Sequence, residues 1–283
     1  KMNGKEQDAG GRIKRGLIVV IVGLIIWYSP VPAGVKPEAW HLLAIFVATI
    51  VGLILNPLPM GAIVILGVMM TALTGTLKVG QALSGFANNV VWLIVAAFLI
   101  ARGFIITGLG RRIAFNFIRA FGRKTLGLAY AIEASDLVLS PATPSNTARA
   151  GGILYPIVRS LCSTFGSEPG DTSRKIGSYL MKMEYQGVVI TSAMFMTSCA
   201  INPLIVELAK KTANVSLSWG TWALAAAVPG LVSLIVVPFL LYKLYPPEVK
   251  ETPQASEMAH AELEKMGPIS RDEKMMIAVF VVI

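Results

Sequence analysis

The sequence predicts an all-α polytopic membrane protein with six membrane-spanning helices, a re-entrant helical hairpin and the start of a seventh span. Of its 283 residues, 54% are hydrophobic and 14% are charged, whereas about a quarter of the residues in a soluble domain are charged. The charged residues cluster in short islands between long apolar runs. This distribution is typical of segments surrounded by lipid rather than of one large soluble core.

The six predicted spans are the long apolar runs, which we interpret as helices because a backbone in lipid has to satisfy its own hydrogen bonds. They cover residues 16–29, 39–55, 60–76, 90–108, 185–208 and 221–242. A seventh run begins near Met275 and contains nine residues, whereas a full span needs about 20. Together with the opening Lys1 in place of Met, this predicts that the chain is the N-terminal half of a longer protein.

Basic residues predict the orientation of these spans. Lys and Arg residues precede the first span, follow the fourth, precede the fifth and flank the link to the seventh. The opposite side carries only Lys36, Lys78, Lys210 and Lys211. Because loops rich in Lys and Arg stay in the cytoplasm, we predict an integral protein of a bacterial inner (cell) membrane, with its N-terminus in the cytoplasm.

The same charges predict that residues 125–165 enter and leave the membrane on one side, since the basic loops before and after them share that side. Such hairpins are tolerated where they are buried in protein or line an aqueous cavity, and broken helices mark substrate sites in transporters. Residues 110–124 alternate basic and apolar side chains, which predicts an interfacial helix or an extension of the fourth span. Residues 246–270 are polar and predict a cytoplasmic linker, with a short helix at 259–265.

The chemistry of the hairpin is concentrated at its tip. Pro141 and Pro144 interrupt the helix, and Ser145 is a favoured N-cap for the second arm. The tip therefore combines backbone N–H groups with the side chains of Ser145, Asn146 and Thr147. Because a helix N-terminus carries partial positive charge and binds anions without a metal, we predict a carboxylate site here. An ordinary capped turn is the structural alternative.

A second interruption lies in the fifth predicted span, where polar residues 197–202 precede Pro203. Proline cannot continue the helical hydrogen-bond ladder, and an unwound segment can coordinate an ion or a substrate through its carbonyls. A simple proline kink is the alternative. Candidate lining residues, here and in the hairpin, are Ser140, Thr143, Ser198, Asn202 and Pro203.

Other chemistries are disfavoured. The net charge of +9 arises from basic residues at the ends of apolar segments, so no nucleic-acid partner is predicted. Cys162 and Cys199 lie in apolar stretches, and His41 and His260 have no neighbours at ligand spacing, so we predict no metal and no cofactor. The spans contain no paired aspartates or activated nucleophile, so an enzyme is not predicted, and the broken helices argue against a receptor or an assembly subunit.

The hairpin residues closely resemble the first hairpin signature of the divalent anion–sodium symporter family. They read SPATPSNTARAGG at 140–152 and most resemble the branch of citrate–succinate, tartrate–succinate and 2-oxoglutarate–malate exchangers. TSAMF at 191–195, with Asn202 and Pro203, is similar to the fifth span of that branch. The similarity extends along the whole chain.

The resemblance implies a secondary transporter built from two inverted repeats, each with a re-entrant hairpin, that forms a homodimer in lipid and moves one domain as an elevator. Ser145, Asn146 and Thr147 would bind one carboxylate of a di- or tricarboxylate (succinate, malate, 2-oxoglutarate, tartrate or citrate), and a hairpin of the second repeat would bind the other. The predicted domains are residues 1–124 (scaffold spans one to four with the interfacial helix), 125–166 (hairpin), 167–245 (spans five and six of the transport domain), 246–274 (linker) and 275–283 (truncated seventh span).

One departure from the sodium-coupled branch concerns the coupling ion. Pro141 stands four residues before Ser145. The resemblance implies that the sodium-coupled branch has a serine at this position, which contributes to a sodium site. Arg149 adds a fixed positive charge near the tip and is the fourth candidate substrate-binding residue, unless it only pairs with Asp136 or Glu133. Both features favour sodium-independent anion exchange, although Ser140 can partly substitute for the missing serine. The alternative is a sodium-coupled dicarboxylate symporter of the same fold.

Overall fold

Helices form every regular element of the computed structural model, which describes the backbone of residues 3–282 and the side chains of residues 10–282. Within that range the one extended pairing is an isolated antiparallel bridge between Lys124 and Glu251. The predicted all-α class is thereby confirmed. Contacts divide the chain into two compact units, Lys1–Val91 and Trp92–Ile283.

The first unit is a set of helices joined by short turns. Its helices are α1 (Asn3–Tyr28), α2 (Pro37–Leu55), α3 (Met60–Leu73) and α4 (Val79–Ala82), followed by a 3-10 turn at Ser84–Ala87. The second helix begins at Pro37, whose fixed φ suits the first helical position. It ends at Asn56, which takes the left-handed conformation with φ 52°. A Cβ on Gly67 would lie 2.5 Å from Thr49 Oγ1, so α2 and α3 approach each other closely.

The second unit contains the remaining helices. They are α5 (Asn89–Thr107), α6 (Leu109–Phe121), α7 (Thr125–Leu139), α8 (Asn146–Arg149), α9 (Tyr155–Thr164), α10 (Gly177–Met194), α11 (Ile201–Ala213), α12 (Trp219–Leu244), α13 (Pro253–Met266) and α14 (Arg271–Val282). The core lies between α6, α7, α9 and α10, which contribute the fully buried side chains of Ile118, Leu128, Val158 and Leu180.

Among the described residues, three helices are long and apolar enough to cross a membrane, namely α2, α5 and α12. They coincide with the predicted spans at 39–55, 90–108 and 221–242. On α5 the side chain of Leu99 is 71% exposed, and on α12 that of Leu224 is 78% exposed. Apolar side chains that face outward along such helices are typical of contact with lipid. The predicted spans at 16–29 and 60–76 fall on α1 and on the shorter α3.

The segment predicted as a hairpin is broken where the prolines stand. Helix α7 ends at Leu139, a 3-10 turn covers Ser140–Ala142, and helical structure resumes at Asn146. The outer ends of α7 and α9 both contact the polar segment that precedes and includes α13. Thr125 N donates to Lys250 O at 3.0 Å, and Thr164 Oγ1 contacts Met258 Sδ at 3.8 Å. The two arms of the segment therefore have their outer ends near one another.

Two polar segments pack as helices. Gly108 has φ 79°, which separates α6 from α5, so residues 110–124 do not extend the fourth apolar helix. Helix α13 is longer than the short helix predicted at 259–265 and packs against α6. Thr252 Oγ1 donates to Gly122 O at 2.8 Å, which connects the start of α13 to the end of α6.

Candidate functional site

The tip of the segment is formed by local sequence chemistry. Pro141 and Pro144 prevent α7 from continuing, and Ser145 caps the next helix, as predicted, with its Oγ accepting from Ala148 N at 3.1 Å. Helix α8 then passes through a π-helical turn at Ala150–Leu154 into α9. The tip therefore stands at the N-terminal end of one continuous helical run, where backbone N–H groups point outward.

The tip presents polar donors that the protein does not use. Asn146 Oδ1 accepts from Thr147 N at 2.9 Å. The Asn146 amide nitrogen and the Thr147 hydroxyl make no hydrogen bond to another described residue. Ser145 and Asn146 are half-buried and Thr147 is exposed. These two donors at a helix N-terminus can bind an anionic oxygen.

Arg149 lies behind the tip and is fully buried. Its Nε donates to Asp136 Oδ1 at 2.5 Å. One terminal nitrogen donates to Thr143 O at 3.0 Å and to Ser198 O at 3.3 Å. The other donates to Thr191 Oγ1 at 3.1 Å and to Ser192 Oγ at 3.2 Å. A guanidinium has five N–H groups, so all of them are used within the protein.

Asp136 is the acidic partner of Arg149, which is one of the two pairings that the sequence left open. Its other carboxylate oxygen accepts from Thr191 Oγ1. Glu133, the other candidate partner, has no hydrogen-bond partner for either carboxyl oxygen among the described residues. Asp136, Thr191 and Arg149 thus form a compact network that connects α7, α8 and α10.

The fifth predicted span is two helices, because α10 ends at Met194 and α11 begins at Ile201. Pro203 lies within the first turn of α11, where a missing N–H costs no hydrogen bond. The interruption is therefore a separate segment before the proline, and not a kink at it. Thr197 Oγ1 donates to Pro141 O at 2.5 Å, so this segment contacts the tip region directly.

The predicted lining residues have different environments. Asn202 Nδ2 donates to Ser192 O at 2.8 Å and to Phe195 O at 2.9 Å, and so satisfies carbonyls at the end of α10. Ser198 contributes its carbonyl to Arg149, while its own hydroxyl donates to Ser192 O at 2.7 Å. Ser140 Oγ bonds to Leu137 O within its own turn.

Thr143 lies closest in chain position to the tip among these lining residues. Its carbonyl accepts from Arg149, and its hydroxyl is buried with no partner among the described residues. Arg149 thus contacts Thr143 and Ser198, which lie in separate segments. Ser140 bonds within its own turn, and Asn202 connects α11 to the end of α10.

Sequence reasoning did not assign site roles to Asp136, Thr191 or Ser192, although the last two belong to a motif noted for its resemblance. The sequence signal for Asp136 was an acidic residue within a largely apolar stretch, three positions after Glu133. Across the described part of the chain, no group of three or more His, Cys, Asp or Glu side chains is placed to hold a metal ion.

Residues 11–283 of this chain match the family model of the sodium:sulfate symporter transmembrane region. The chain belongs to the sodium:sulfate symporter family. The predicted resemblance of the chain to the divalent anion–sodium symporter family is thereby confirmed.

Several curated proteins are similar over nearly the whole chain. The putative malate transporter YflS of Bacillus subtilis is 58% identical, over 98% of this chain and 59% of its own length. The chloroplastic dicarboxylate transporter 1 of Arabidopsis thaliana is 52% identical, over 95% of this chain and 48% of its own. An L-tartrate/succinate antiporter of Escherichia coli is 40% identical, over 93% of this chain and 57% of its own length. These relatives are named as transporters rather than enzymes, and the chain spans 59% or less of their length.

Proposed function

We propose that this chain is part of a secondary transporter that exchanges di- and tricarboxylate anions across a membrane. The observation that carries the proposal is the tip at Ser145, Asn146 and Thr147. It has two unused side-chain donors at the N-terminal end of a continuous helical run. The names of the relatives, which include malate, dicarboxylate and tartrate/succinate transporters, support the same substrate class.

In this proposal, Ser145, Asn146 and Thr147 bind one carboxylate group of the substrate. The helix N-terminus supplies partial positive charge, and neutral amide and hydroxyl donors hold a carboxylate without trapping it. Thr143 and the interrupted segment around Ser198 line the site from behind. A second hairpin in the remainder of the full-length protein binds the other carboxylate.

Arg149 supports this site through its position. Because all five of its N–H groups donate to other groups of the protein, Arg149 acts on the substrate indirectly, through the residues that it holds. Its charge is paired with that of Asp136, and the side chain acts on the site by holding the carbonyls of Thr143 and Ser198 in place.

The surrounding architecture follows the same proposal. Residues 125–165 form a re-entrant hairpin that opens to the cytoplasm, and this is supported by the contacts of both outer ends with the segment around α13. The N-terminus is cytoplasmic, the full-length protein forms a homodimer in lipid, and the hairpin moves with its domain as an elevator. Pro141, which offers no side-chain oxygen, favours exchange without sodium.

Counterflow in liposomes tests this function on the full-length protein. Vesicles loaded with unlabelled succinate, malate, 2-oxoglutarate, tartrate or citrate are compared with empty vesicles for uptake of labelled succinate. The proposal predicts uptake into loaded vesicles that is undiminished when choline replaces sodium. Sodium-dependent uptake that needs no internal anion would favour the symporter instead. Uptake of labelled sulfate that dicarboxylates do not compete with would contradict the proposed substrate class.

A further inference from the structure

A second buried acid lies beside the Arg149 network and has no structural partner. Glu133 in α7 is 3% exposed, and neither of its carboxyl oxygens has a hydrogen-bond partner among the described residues. A Cβ placed on Gly187 of α10 would lie 3.1 Å from both Cγ and Oε1 of Glu133. The carboxyl group is therefore packed closely against α10, at a position where the residue has no side chain.

The groups that face Glu133 offer no cation to neutralise it. Asp136 is one turn further along α7 and carries its own negative charge. Tyr130 and Tyr179 lie within electrostatic range, but their hydroxyls donate to backbone carbonyls of α12, at 2.7 and 3.1 Å. Arg149 gives its single Nε–H to Asp136 and its four other N–H groups elsewhere.

The remaining helices that pack near Glu133 also present no cation to it among the described residues. The buried face of α6, which packs on α7, consists of Leu109, Gly110, Ala114, Phe115 and Ile118. Helix α10 adds a further acid, Glu184, which is 7% exposed and has one carboxyl oxygen without a hydrogen-bond partner among the described residues. Helix α12 adds Tyr242, whose ring packs edge-on against Tyr179.

An ionised carboxylate in this position would be buried without a hydrogen bond and beside a second negative charge. Both conditions are costly, and a carboxyl group relieves them by binding a proton. A metal ion would need several converging ligands, and among the described residues no group of three or more His, Cys, Asp or Glu side chains is placed around Glu133 to supply them. The ligand that fits Glu133 is therefore a proton.

We propose that Glu133 is a proton-binding site of the transporter and that exchange requires it to be protonated. This rests on the proposed function. Loss of the proton would place a second negative charge beside Asp136 and compete with it for Arg149. Because Arg149 also holds Thr143 and Ser198, the disturbance would reach the tip that binds the substrate. Exchange should then fall at alkaline pH for a reason that lies in the protein and not in the substrate.

The pH dependence of stability tests proton binding without any transport. A glutamate in the unfolded chain loses its proton near pH ~4.3, whereas folded Glu133 keeps it. Above that pH the folded state binds more protons than the unfolded state, so its stability falls as pH rises. We expect Glu133→Gln to match wild type at about pH 5. The variant should become more stable than wild type by up to about tenfold in the unfolding equilibrium per pH unit above that. Thermal unfolding of purified full-length protein measures this difference.

Two matched variants control the measurement. Glu184→Gln removes the buried acid of α10, and Glu168→Gln removes an acid that is 47% exposed and pairs with Arg159. Both control variants should still lose stability toward alkaline pH, as wild type does. Parallel pH profiles for wild type and Glu133→Gln, or loss of the alkaline decline in Glu184→Gln alone, would overturn the proposal. If Glu133→Gln does not fold, infrared spectra of wild type and Glu184→Gln decide. A carbonyl band of a protonated carboxylic acid should persist in both at about pH 8, and its absence overturns the proposal.

The second readout is labelled-succinate counterflow across the same pH range. Wild type should lose exchange toward alkaline pH, and Glu133→Gln should retain it. If stability follows the prediction but wild type and Glu133→Gln lose exchange alike, Glu133 binds a proton that transport does not need, and the functional part is wrong. If no variant exchanges carboxylates at any pH while the stability difference is present, the proposed function fails and proton binding stands.

Discussion

Arg149 Nε lies 2.5 Å from Asp136 Oδ1, and the two side chains are 0% and 2% exposed. Thr191 donates to the other oxygen of Asp136, and Thr143 and Ser198 accept from Arg149 through their carbonyls. This ion pair therefore connects α7, the tip and the segment between α10 and α11. The shape of the candidate site depends on it.

Removing one member of the pair should destabilise the protein strongly. Arg149→Gln leaves Asp136 as an uncompensated buried charge, which typically costs about 3–5 kcal/mol. The double variant Arg149→Gln/Asp136→Asn removes both charges and should recover part of that loss, because the remaining groups are neutral. Thermal unfolding of the purified full-length protein measures both effects.

The exposed pair Arg159–Glu168 provides the control for this comparison. Its side chains are 39% and 47% exposed, and exposed pairs contribute about 0–1 kcal/mol. Arg159→Gln should therefore have a small effect. An Arg149→Gln variant as stable as Arg159→Gln, or a double variant worse than the single one, would show that the pair does not stabilise the site.

The sequence predicted the parts of this site that depend on local chemistry. The two prolines and the Ser145 cap define the tip without any knowledge of packing. The pairing of Arg149 could not be decided, because Asp136 and Glu133 lie three positions apart on one helix and both were in reach. Likewise, Thr191 becomes part of the network only through the packing of α10 on α7. The extent of α13 was underestimated because its polar sequence carries little apolar periodicity.

The hairpin topology predicts that the two outer ends of residues 125–165 face the same side of the membrane. Lys124→Cys and Thr164→Cys, in a background with Cys162 and Cys199 replaced by alanine, should react with an impermeant thiol reagent from the cytoplasmic side. Lys36→Cys should react from the opposite side. Labelling of inside-out and right-side-out vesicles distinguishes the two faces. Reaction of the Lys124 and Thr164 positions from different sides would mean that the segment crosses the membrane.

The contact between α6 and α14 should respond to acid. Arg112 Nε donates to Glu273 Oε1 at 2.6 Å, and Ser270 N donates to Glu273 Oε2 at 2.8 Å. The Arg112 side chain is the main cause that lowers the pKa of Glu273, with the Ser270 contact adding to it. A lowered pKa contributes stability that is present above the ordinary glutamate value of about 4.3 and is lost as pH falls.

Glu273→Gln should therefore melt about 2–4 °C below wild type at neutral pH, since the charged hydrogen bonds are weakened. The difference should shrink as the pH falls below about 4. Glu262→Gln is a suitable control because its partner Arg111 is 54% exposed. A difference that is unchanged by acid would show that the charge of Glu273 does not contribute.

The central claim is that Asn146, beside Ser145 and Thr147, binds a carboxylate of the substrate. Its amide nitrogen has no partner among the described residues and can donate to a carboxylate, whereas alanine cannot. Asn116→Ala is the matched control, because Asn116 is exposed on α6 and bonds only to backbone and side-chain atoms of that helix. The decisive measurement is labelled-succinate counterflow by the full-length protein in liposomes, with insertion checked for each variant. Loss of uptake in Asn146→Ala, with normal uptake in Asn116→Ala, is the predicted result, and normal uptake by a properly inserted Asn146→Ala would contradict the account.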